Sequence, residues 1–404
     1  MSMIAIVSIL TDYALLATFV REYSMLLEFG TRNFFSFKEG ALVTFRLDAN
    51  CPRHISQGLS FTPVLCVKGA NGSGKTHLLK AIAFLVQFCS SSFDNTPRGP
   101  IAVQPFFDSQ DPCDFTATFS VNDSIYTYEL STTEQSVVRE TIYRTIAKKS
   151  KIVERTGNKI TFVTKEFNGL TSMILRENAS IISTANQYGL KELKEVHTFF
   201  AACASNVSYG GLRERPLDSS TVCGLLKDDE DAFAFVKSFI RDCDVGISDI
   251  KIMTRDDDDG KGQRHFPVFI HSKDGKENPV FDTSESSGTK ALFRNLGIYD
   301  AVLRLGGVLI LDEFDINLHP HILPKLIDLF LDQEINKRQA QLVFSTHNTE
   351  IIDVLGRYRT CLVNKDDNES YVYRLDELPG SILRNDRPIS PVYKEGRIGG
   401  VPRL

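Results

Sequence analysis

A glycine-rich segment near residue 70 has the residue spacing of a phosphate-binding loop. It fits G-x-x-x-x-G-K-[ST] across Gly69-Ala70-Asn71-Gly72-Ser73-Gly74-Lys75-Thr76. Glycines let the backbone curl so that N–H groups point at phosphate oxygens, and the following helix adds the positive end of its dipole. We therefore expect Gly69, Asn71, Gly72 and Gly74 to line a nucleotide site. Lys75 would contact the β and γ phosphates, and the Thr76 hydroxyl would bind Mg²⁺.

The segments on either side of this loop favour a strand–loop–helix arrangement. The apolar run TPVLCV predicts a buried strand before the loop. HLLKAIAFLVQF places apolar residues at helical spacing after it. The alternative is a glycine-rich turn that binds nothing, and this context disfavours it.

A carboxylate pair follows a second apolar run, GGVLILDEFD at residues 306–315. The continuous run from Val308 to Leu311 is typical of a strand that is covered on both faces. Asp312, at its carboxyl end, is placed to support Mg²⁺, and Glu313 to polarise an attacking water. The alternative is a strand that ends in solvated acids. The long separation from Lys75 predicts a sizeable insertion.

Two further segments flank the acidic pair. ESSGTKALFRNL begins at Glu285, and its Ser286 and Gly288 open a predicted helix. LVFSTHNTEII is another predicted buried strand, and His347 follows it. Each segment is weak evidence alone, because serine caps many helices and a histidine can be structural. Their order around LDE is that of an ABC-type ATPase head.

From Met25 onward, nearly the whole chain resembles the stand-alone ABC/SMC-like AAA ATPases of bacteria and archaea, which are related to RecF and to the ATPase half of OLD nucleases. The similar segments are LLEFGTRNFFSFKE, GANGSGKTHLLKAI, ESSGTKALF, LDEFDINLHP, FSTHNTEII and the tail YKEGRIGGVPRL. The resemblance implies ATP and Mg²⁺ as cofactors. It also implies an α/β fold: a P-loop ABC-type ATPase head with an antiparallel β subdomain and an inserted helical subdomain.

The resemblance implies roles for residues of the chain's own half of the site. Lys75 would hold phosphates, Thr76 and Asp312 would hold the metal, and Glu313 would be the general base. Gln104, in VQPFF, would be a Q-loop residue that binds the metal, although that motif is short.

The resemblance also implies that Ser286 and Gly288 cap the γ-phosphate held by a partner chain, and that His347 is the switch histidine. Two positions depart from the family pattern. Phe35 stands where the family often has arginine, which puts a phosphate or ribose contact there in doubt. His319, in LHP, stands where transporter heads carry a D-loop aspartate, which weakens a transporter interpretation.

The positions of the motifs predict a discontinuous ATPase core. We expect an N-terminal extension at 1–24, a first part of the core with the β-rich subdomain at 25–165, a helical insertion at 166–245, and the second part of the core at 246–404. Alternating residues at 114–164 predict an antiparallel meander, and residues 171–208 and 228–241 have helical patterns. RDDDDGKG is expected to be a solvated hairpin tip and not a metal site. GGLRERP is expected to be a polar loop that faces solvent, and a contact with a partner or with nucleic acid is the alternative.

Composition narrows the class of protein. The 404 residues carry a net charge of −5, which gives no global reason to expect nucleic-acid binding and leaves a local basic face open. The eight cysteines show no metal spacing, so we expect reduced thiols and a cytoplasmic protein. The first 20 residues are apolar but contain Asp12 and lack a basic start, so we expect no membrane partner.

One loop and one signature per chain predict a head-to-head homodimer or higher oligomer that closes on ATP. The leading functional interpretation is the sensor or motor ATPase of a prokaryotic anti-phage defence or abortive-infection system, acting with a separate effector such as a nuclease. The alternative is a RecF/SMC-like DNA-maintenance clamp, which would show salt-dependent DNA affinity. A scaffold that binds ATP without turnover ranks third, and a transporter subunit ranks last.

Overall fold

The structure is a computed structural model that describes residues 24–213, 217–244, 246–256, 263–380, 382–384 and 387–401. The predicted extension at 1–24 therefore lies almost entirely outside the described residues, as do parts of RDDDDGKG and GGLRERP. The strands are β1 Ser24–Arg32, β2 Ala41–Thr44, β3 Val64–Lys68, β4 Cys113–Val121, β5 Ser124–Thr132, β6 Val137–Thr145, β7 Lys149–Thr156, β8 Lys159–Val163, β9 Ala204–Ser205, β10 Val207–Ser208, β11 Gly211–Leu212, β12 Ile247–Asp256, β13 Gln263–Lys273, β14 Lys276–Phe281, β15 Val308–Leu311, β16 Gln341–Ser345, β17 Thr360–Asp366 and β18 Glu369–Arg374.

The helices of the described residues are α1 Arg53–Ser56, α2 Lys75–Ser91, α3 Ile181–Gln187, α4 Lys194–Ala201, α5 Ser219–Lys227, α6 Glu230–Cys243, α7 Ser287–Leu305, α8 Ile322–Leu331, α9 Ile351–Leu355 and α10 Ser390–Lys394. Short 3₁₀ turns join several of them. None of the helices in these ranges is long and apolar enough to cross a lipid bilayer. All eight cysteines are free.

A six-stranded sheet carries the predicted nucleotide motifs, in the order β18-β17-β3-β16-β15-β9. The five strands from β17 to β9 run parallel, and β18 is antiparallel at the edge. The predicted strands TPVLCV, GGVLIL and LVFS are β3, β15 and β16, side by side with β16 in the middle. The carboxyl ends of parallel strands meet at one edge of a sheet, where ligands bind in folds of this kind.

A seven-stranded antiparallel sheet, β2-β1-β4-β5-β6-β7-β8, contains the predicted meander. Alternate residues of β4 are buried, as a strand with one solvated face requires. Helix α2 lies between the two sheets, and its Leu78 and Ile82 share one apolar core with Phe115 of β4 and Val67 of β3. The side-chain amide of Gln341 joins the sheets further, because it both accepts from and donates to the backbone of Leu26 in β1 (2.6 and 2.9 Å).

The other face of the parallel sheet is covered by helices and by the three-stranded sheet β12-β13-β14. Val64 and Cys66 of β3 share this second core with Leu326 of α8 and Val302 of α7. The helical pattern predicted for 171–208 is found at α3 and α4, but residues 173–180 form no helix, and β9 and β10 lie at the end of the range. The free edge of β15 offers unpaired backbone groups, and pairing with β9 satisfies them. The boundaries 25–165, 166–245 and 246–404 stay a prediction.

A fully buried ion pair ties the meander to the helical segment after it. The carboxylate of Glu140 in β6 lies 2.8 Å from Arg155 Nε in β7, and neither side chain is exposed. Glu140 also accepts from the Tyr128 hydroxyl and from the Ile181 amide at the start of α3. Burial raises the pKa of Glu140, and Arg155 opposes that shift. The guanidinium donates to the carbonyls of Arg176 and Ala179 as well, so both charges are hydrogen-bonded.

Glu140→Gln is expected to lower the free energy of unfolding by about 3 to 5 kcal/mol, because it leaves the guanidinium of Arg155 buried without a counter-charge. The matched control is Glu166→Gln, which breaks the pair with Arg144 on the surface, where the Glu166 side chain is 62% exposed. That control should change stability by less than about 1 kcal/mol. Urea unfolding of both variants measures the difference, and equal losses would contradict the argument.

Candidate functional site

The glycine-rich loop lies between β3 and α2, and its conformation depends on glycine. Gly72 and Gly74 have φ of 75° and 112°, values that side-chain-bearing residues rarely adopt. A Cβ at Gly69 would lie 2.4 Å from the carbonyl oxygen of Val363, so the neighbouring strand β17 also excludes a side chain there. The loop therefore lies close against β17 and leads directly into the N-terminus of α2.

Lys75, the first residue of α2, folds back across its own loop. Its Nζ donates to the carbonyls of Gly69 (3.0 Å) and Ala70 (3.2 Å), and the residue is 8% exposed. Burial lowers the pKa of Lys75, while the nearby carboxylate of Asp312 opposes the shift. A cation at the mouth of a helix N-terminus suits an anionic ligand such as a phosphate chain.

Asp312 lies opposite the loop, at the carboxyl end of β15, as the sequence predicts. Its carboxylate accepts from the Thr76 hydroxyl (2.6 Å) and from the Ser345 hydroxyl at the end of β16. Thr76 and Asp312 are oxygen donors of the kind that Mg²⁺ prefers. Two such donors fit a magnesium ion that takes its remaining ligands from water and phosphate oxygens.

Glu313 adopts a left-handed backbone conformation, with φ of 48°. Its amide donates to the Ser345 hydroxyl (2.9 Å), and the next amide, of Phe314, donates to the Ser345 carbonyl (2.9 Å). Ser345 thus holds the Asp312 carboxylate and the Glu313 backbone together. A non-glycine residue at positive φ is uncommon and persists where the surroundings fix it.

Asn206 is part of the site and was not anticipated from the sequence. Its side-chain amide donates to the Asp312 carbonyl (2.9 Å), and its Oδ1 accepts from the Asp312 amide (2.7 Å). Its own amide donates to the carbonyl of Ile310 (3.1 Å). Asn206 therefore fixes the backbone that presents the predicted metal carboxylate. It follows β9, a strand of two residues, which is too short to give a sequence pattern.

His347 follows β16, and its side chain is exposed. Its amide lies 3.3 Å from both carboxylate oxygens of Asp315. The loop that carries His347 is thereby tied to the segment after Asp312 and Glu313. The structure places His347 at the same edge of the sheet as the other motifs.

Ser286 and Gly288 lie at the start of α7. Ser286 is the N-cap residue: its hydroxyl accepts from the Thr289 amide (3.1 Å), and the residue is exposed. A Cβ at Gly288 would lie 3.1 Å from the Asn317 carbonyl, in the segment that follows Glu313. The hydrogen bonds of Ser286 are to Glu285, Thr289 and Lys290, and none of those described reaches residues 69–76 of the same chain.

Gln104 lies on an exposed loop, and its carbonyl accepts from the Phe35 amide (2.8 Å). The Phe35 ring stacks on His77 with centroids 4.7 Å apart, and Lys80 Nζ lies 4.2 Å from the same ring. Burial, with a contribution from Lys80, lowers the pKa of His77 to about 4, so this imidazole is neutral at pH 7. The turn with Phe35 therefore packs against α2, and a metal contact by the Gln104 side chain stays a prediction.

Solved structures that are similar to this chain include SMC head domains. The SMC head bound to the C-winged helix domain of ScpA is 13% identical, with a TM-score of 0.46 over 87% of this chain and 99% of that chain. The SMC head domain from Thermotoga maritima is 15% identical, with a TM-score of 0.41 over 86% of this chain and 98% of that chain. An SMC head domain with an extended coiled coil, bound to the C-terminal domain of ScpA from Pyrococcus furiosus, is 11% identical. Its TM-score is 0.44 over 88% of this chain and 97% of that chain. At these TM-scores the likeness carries no inference about activity or partners.

No curated protein matches the sequence. A family model does match, and it spans residues 64–353, from β3 with its glycine-rich loop through Asp312 and Glu313 to α9. Its description is "AAA domain, putative AbiEii toxin, Type IV TA system". The matched span is most of the chain and includes each strand of the parallel sheet that carries a predicted catalytic or metal residue. The chain belongs to this AAA-domain family, and its fold is α/β.

Proposed function

We propose that this chain binds and hydrolyses ATP and that two copies close head-to-head around the nucleotide. The observation that carries the proposal is the meeting of Thr76, Asp312 and Ser345 at one sheet edge, with Glu313 beside them. The ends of three strands meet here. The phosphate loop with Thr76 follows β3, Asp312 and the candidate base Glu313 follow β15, and Ser345 ends β16. A glycine turn of purely structural use has no need of this arrangement.

The residues divide the chemistry among them. The loop amides and Lys75 bind the phosphates, and Lys75 exchanges its bonds to Gly69 and Ala70 for bonds to phosphate oxygens. Thr76 and Asp312 would hold Mg²⁺, and the ion would supply positive charge against the charge that develops on the transferred phosphoryl group. Glu313 accepts a proton from water and orients it for attack. His347 contacts the γ-phosphate from the end of β16.

The signature residues support the proposal of a dimer. Ser286 is exposed at the N-terminus of the 19-residue helix α7, where free N–H groups and the helix dipole favour an anion. Because its own hydrogen bonds stay within the start of α7, we infer that it caps the nucleotide of a second copy. Gly288 lies against Asn317, so the helix start and the segment after Glu313 approach the partner together.

We further propose that the ATPase is the sensor or motor of an anti-phage defence or abortive-infection system with a separate effector, such as a nuclease. The support is the family description, which refers to a toxin–antitoxin system. We expect affinity purification of the tagged chain with ATP, in its own host, to retain the product of a neighbouring reading frame. Mass spectrometry identifies that product, with a Lys75→Ala chain as the control. Recovery of DNA-repair proteins instead would favour the DNA-clamp alternative.

Glu313→Gln is expected to lower ATP turnover about 100-fold or more, since it removes the base and keeps the shape of the side chain. The variant should accumulate as an ATP-bound dimer, which light scattering after size-exclusion chromatography detects. The matched control is Glu334→Gln, an exposed glutamate after α8, which should keep wild-type turnover. Unchanged turnover in Glu313→Gln would remove Glu313 from the role of base.

A mixture of two inactive variants tests whether the site is shared between copies. Lys75→Ala removes the phosphate contact, and Ser286→Asp keeps an N-cap acceptor but sets a negative charge against the γ-phosphate. In a 1:1 mixture half of the dimers are mixed, and each mixed dimer has one intact composite site. Turnover should therefore recover to about a quarter of the wild-type value. A mixture as inactive as its components means that each chain supplies its whole site itself.

A further inference from the structure

Lys68 is a buried lysine whose ammonium group binds backbone carbonyl oxygens. It ends β3, directly before the glycine-rich loop, and is 2% exposed. Its Nζ donates to the carbonyl oxygens of Thr346 (2.9 Å) and Asn348 (3.1 Å). No carboxylate lies within ion-pair distance of it among the described residues. Burying an ammonium group without a counter-charge is costly unless hydrogen bonds and other contacts compensate for its lost hydration.

The two carbonyl groups that Lys68 binds belong to the residues immediately before and after His347. The amide of His347 itself is directed at the Asp315 carboxylate. The backbone of His347 is thus fixed from two sides, by a cation on its flanking carbonyls and by an anion on its amide. Its exposed side chain leaves this fixed backbone at the edge of the sheet where the phosphate loop begins.

The third side of the Lys68 ammonium faces an aromatic ring from the C-terminal tail. Nζ lies 5.7 Å from the ring centroid of Tyr393 in α10, within the range of a cation–π contact. The Tyr393 hydroxyl donates to the carbonyl of Gly400 (2.8 Å), and the Gly400 amide donates to the side chain of Asn364 in β17 (2.6 Å). The tail is therefore folded onto the strand beside β3, and it holds the ring in place.

We propose that Lys68 is a positioning residue for ATP hydrolysis: it sets the place of His347, and the C-terminal tail holds Lys68 through Tyr393. This rests on the proposed function. A residue outside the phosphate loop, and a tail more than 40 residues further along the chain than His347, would then control the geometry of the switch histidine. Burial lowers the pKa of Lys68, and Cys66 and Asp315 oppose that shift.

The test compares Lys68→Met, which keeps the length of the stem and removes the donors, with Lys68→Arg and with Lys337→Met, an exposed lysine before β16. For Lys68→Met we expect kcat to fall about tenfold or more with KM for ATP nearly unchanged, because misplacing one catalytic group affects the transition state most. Lys68→Arg should keep more of the activity, and Lys337→Met should match the wild type.

Two further measurements separate positioning from a loss of folding. Hydrogen exchange of a peptide containing residues 346–350 should quicken in Lys68→Met without nucleotide, while peptides from the meander stay unchanged. Tyr393→Leu should lower kcat in the same direction, and Tyr393→Phe, which keeps the ring, should lower it less. Thermal unfolding of every variant shows whether the fold is retained.

The inference is overturned if Lys68→Met shows wild-type kcat and wild-type exchange at 346–350. It is overturned as well if kcat, KM and exchange throughout the sheet change together, since that pattern describes a general loss of structure. Failure of the proposed function is a separate outcome: the wild-type chain would bind ATP without hydrolysing it. In that case faster exchange at 346–350 in Lys68→Met would still establish that Lys68 holds the loop.

Discussion

The hydrogen bond from the Thr76 hydroxyl to the Asp312 carboxylate forms only because the parallel sheet brings two distant segments of the chain together. The two residues are 236 positions apart in the chain. They meet because β3 and β15 run parallel on either side of β16, so that the loop after one strand and the acid after the other emerge at the same edge. Ser345, at the end of the middle strand β16, donates a second hydrogen bond to the same Asp312 carboxylate. The insertions between these strands can be long because the sheet alone sets the distance.

The hydrophobic cores on the two faces of this sheet fix the register of its strands. Alternate residues of β3 belong to different cores: Leu65 and Val67 pack with α2, and Val64 and Cys66 pack with α7 and α8. A strand covered on both faces cannot slip by one residue without exchanging its two sets of side chains. Lys68 continues the second set past the end of the core, which is why its side chain reaches the loop of Thr346 and not α2.

Much of this arrangement could be predicted from the sequence, because its signals are local. The loop has a dense pattern of glycines, β15 and β16 are continuous apolar runs with polar ends, and α7 begins at the predicted serine cap. The meander was predicted because one-sided burial forces alternation. Sequence reasoning failed at β9, since two residues carry no period and their conformation is fixed by pairing with β15. Asn206 and Lys68 were missed for a related reason: both act on backbone groups of distant segments, and such contacts leave no residue pattern at either end.

The polar contacts of the site are ones that a nucleotide and its metal would replace with little rearrangement. Lys75 bonds to two loop carbonyls, and the hydroxyl of Thr76 bonds to the carboxylate that would share Mg²⁺ with it. Exchanging one charged hydrogen bond for another releases much less free energy than making a new one. Little of the structure has to be ordered on binding, however, because Asn206 and Ser345 already hold the acidic strand end. In the proposed complex with ATP, the net gain in free energy would then come chiefly from the phosphate charges. In the proposed dimer, the free energy that a second copy would contribute by capping those charges with α7 would be available to hold the two copies together.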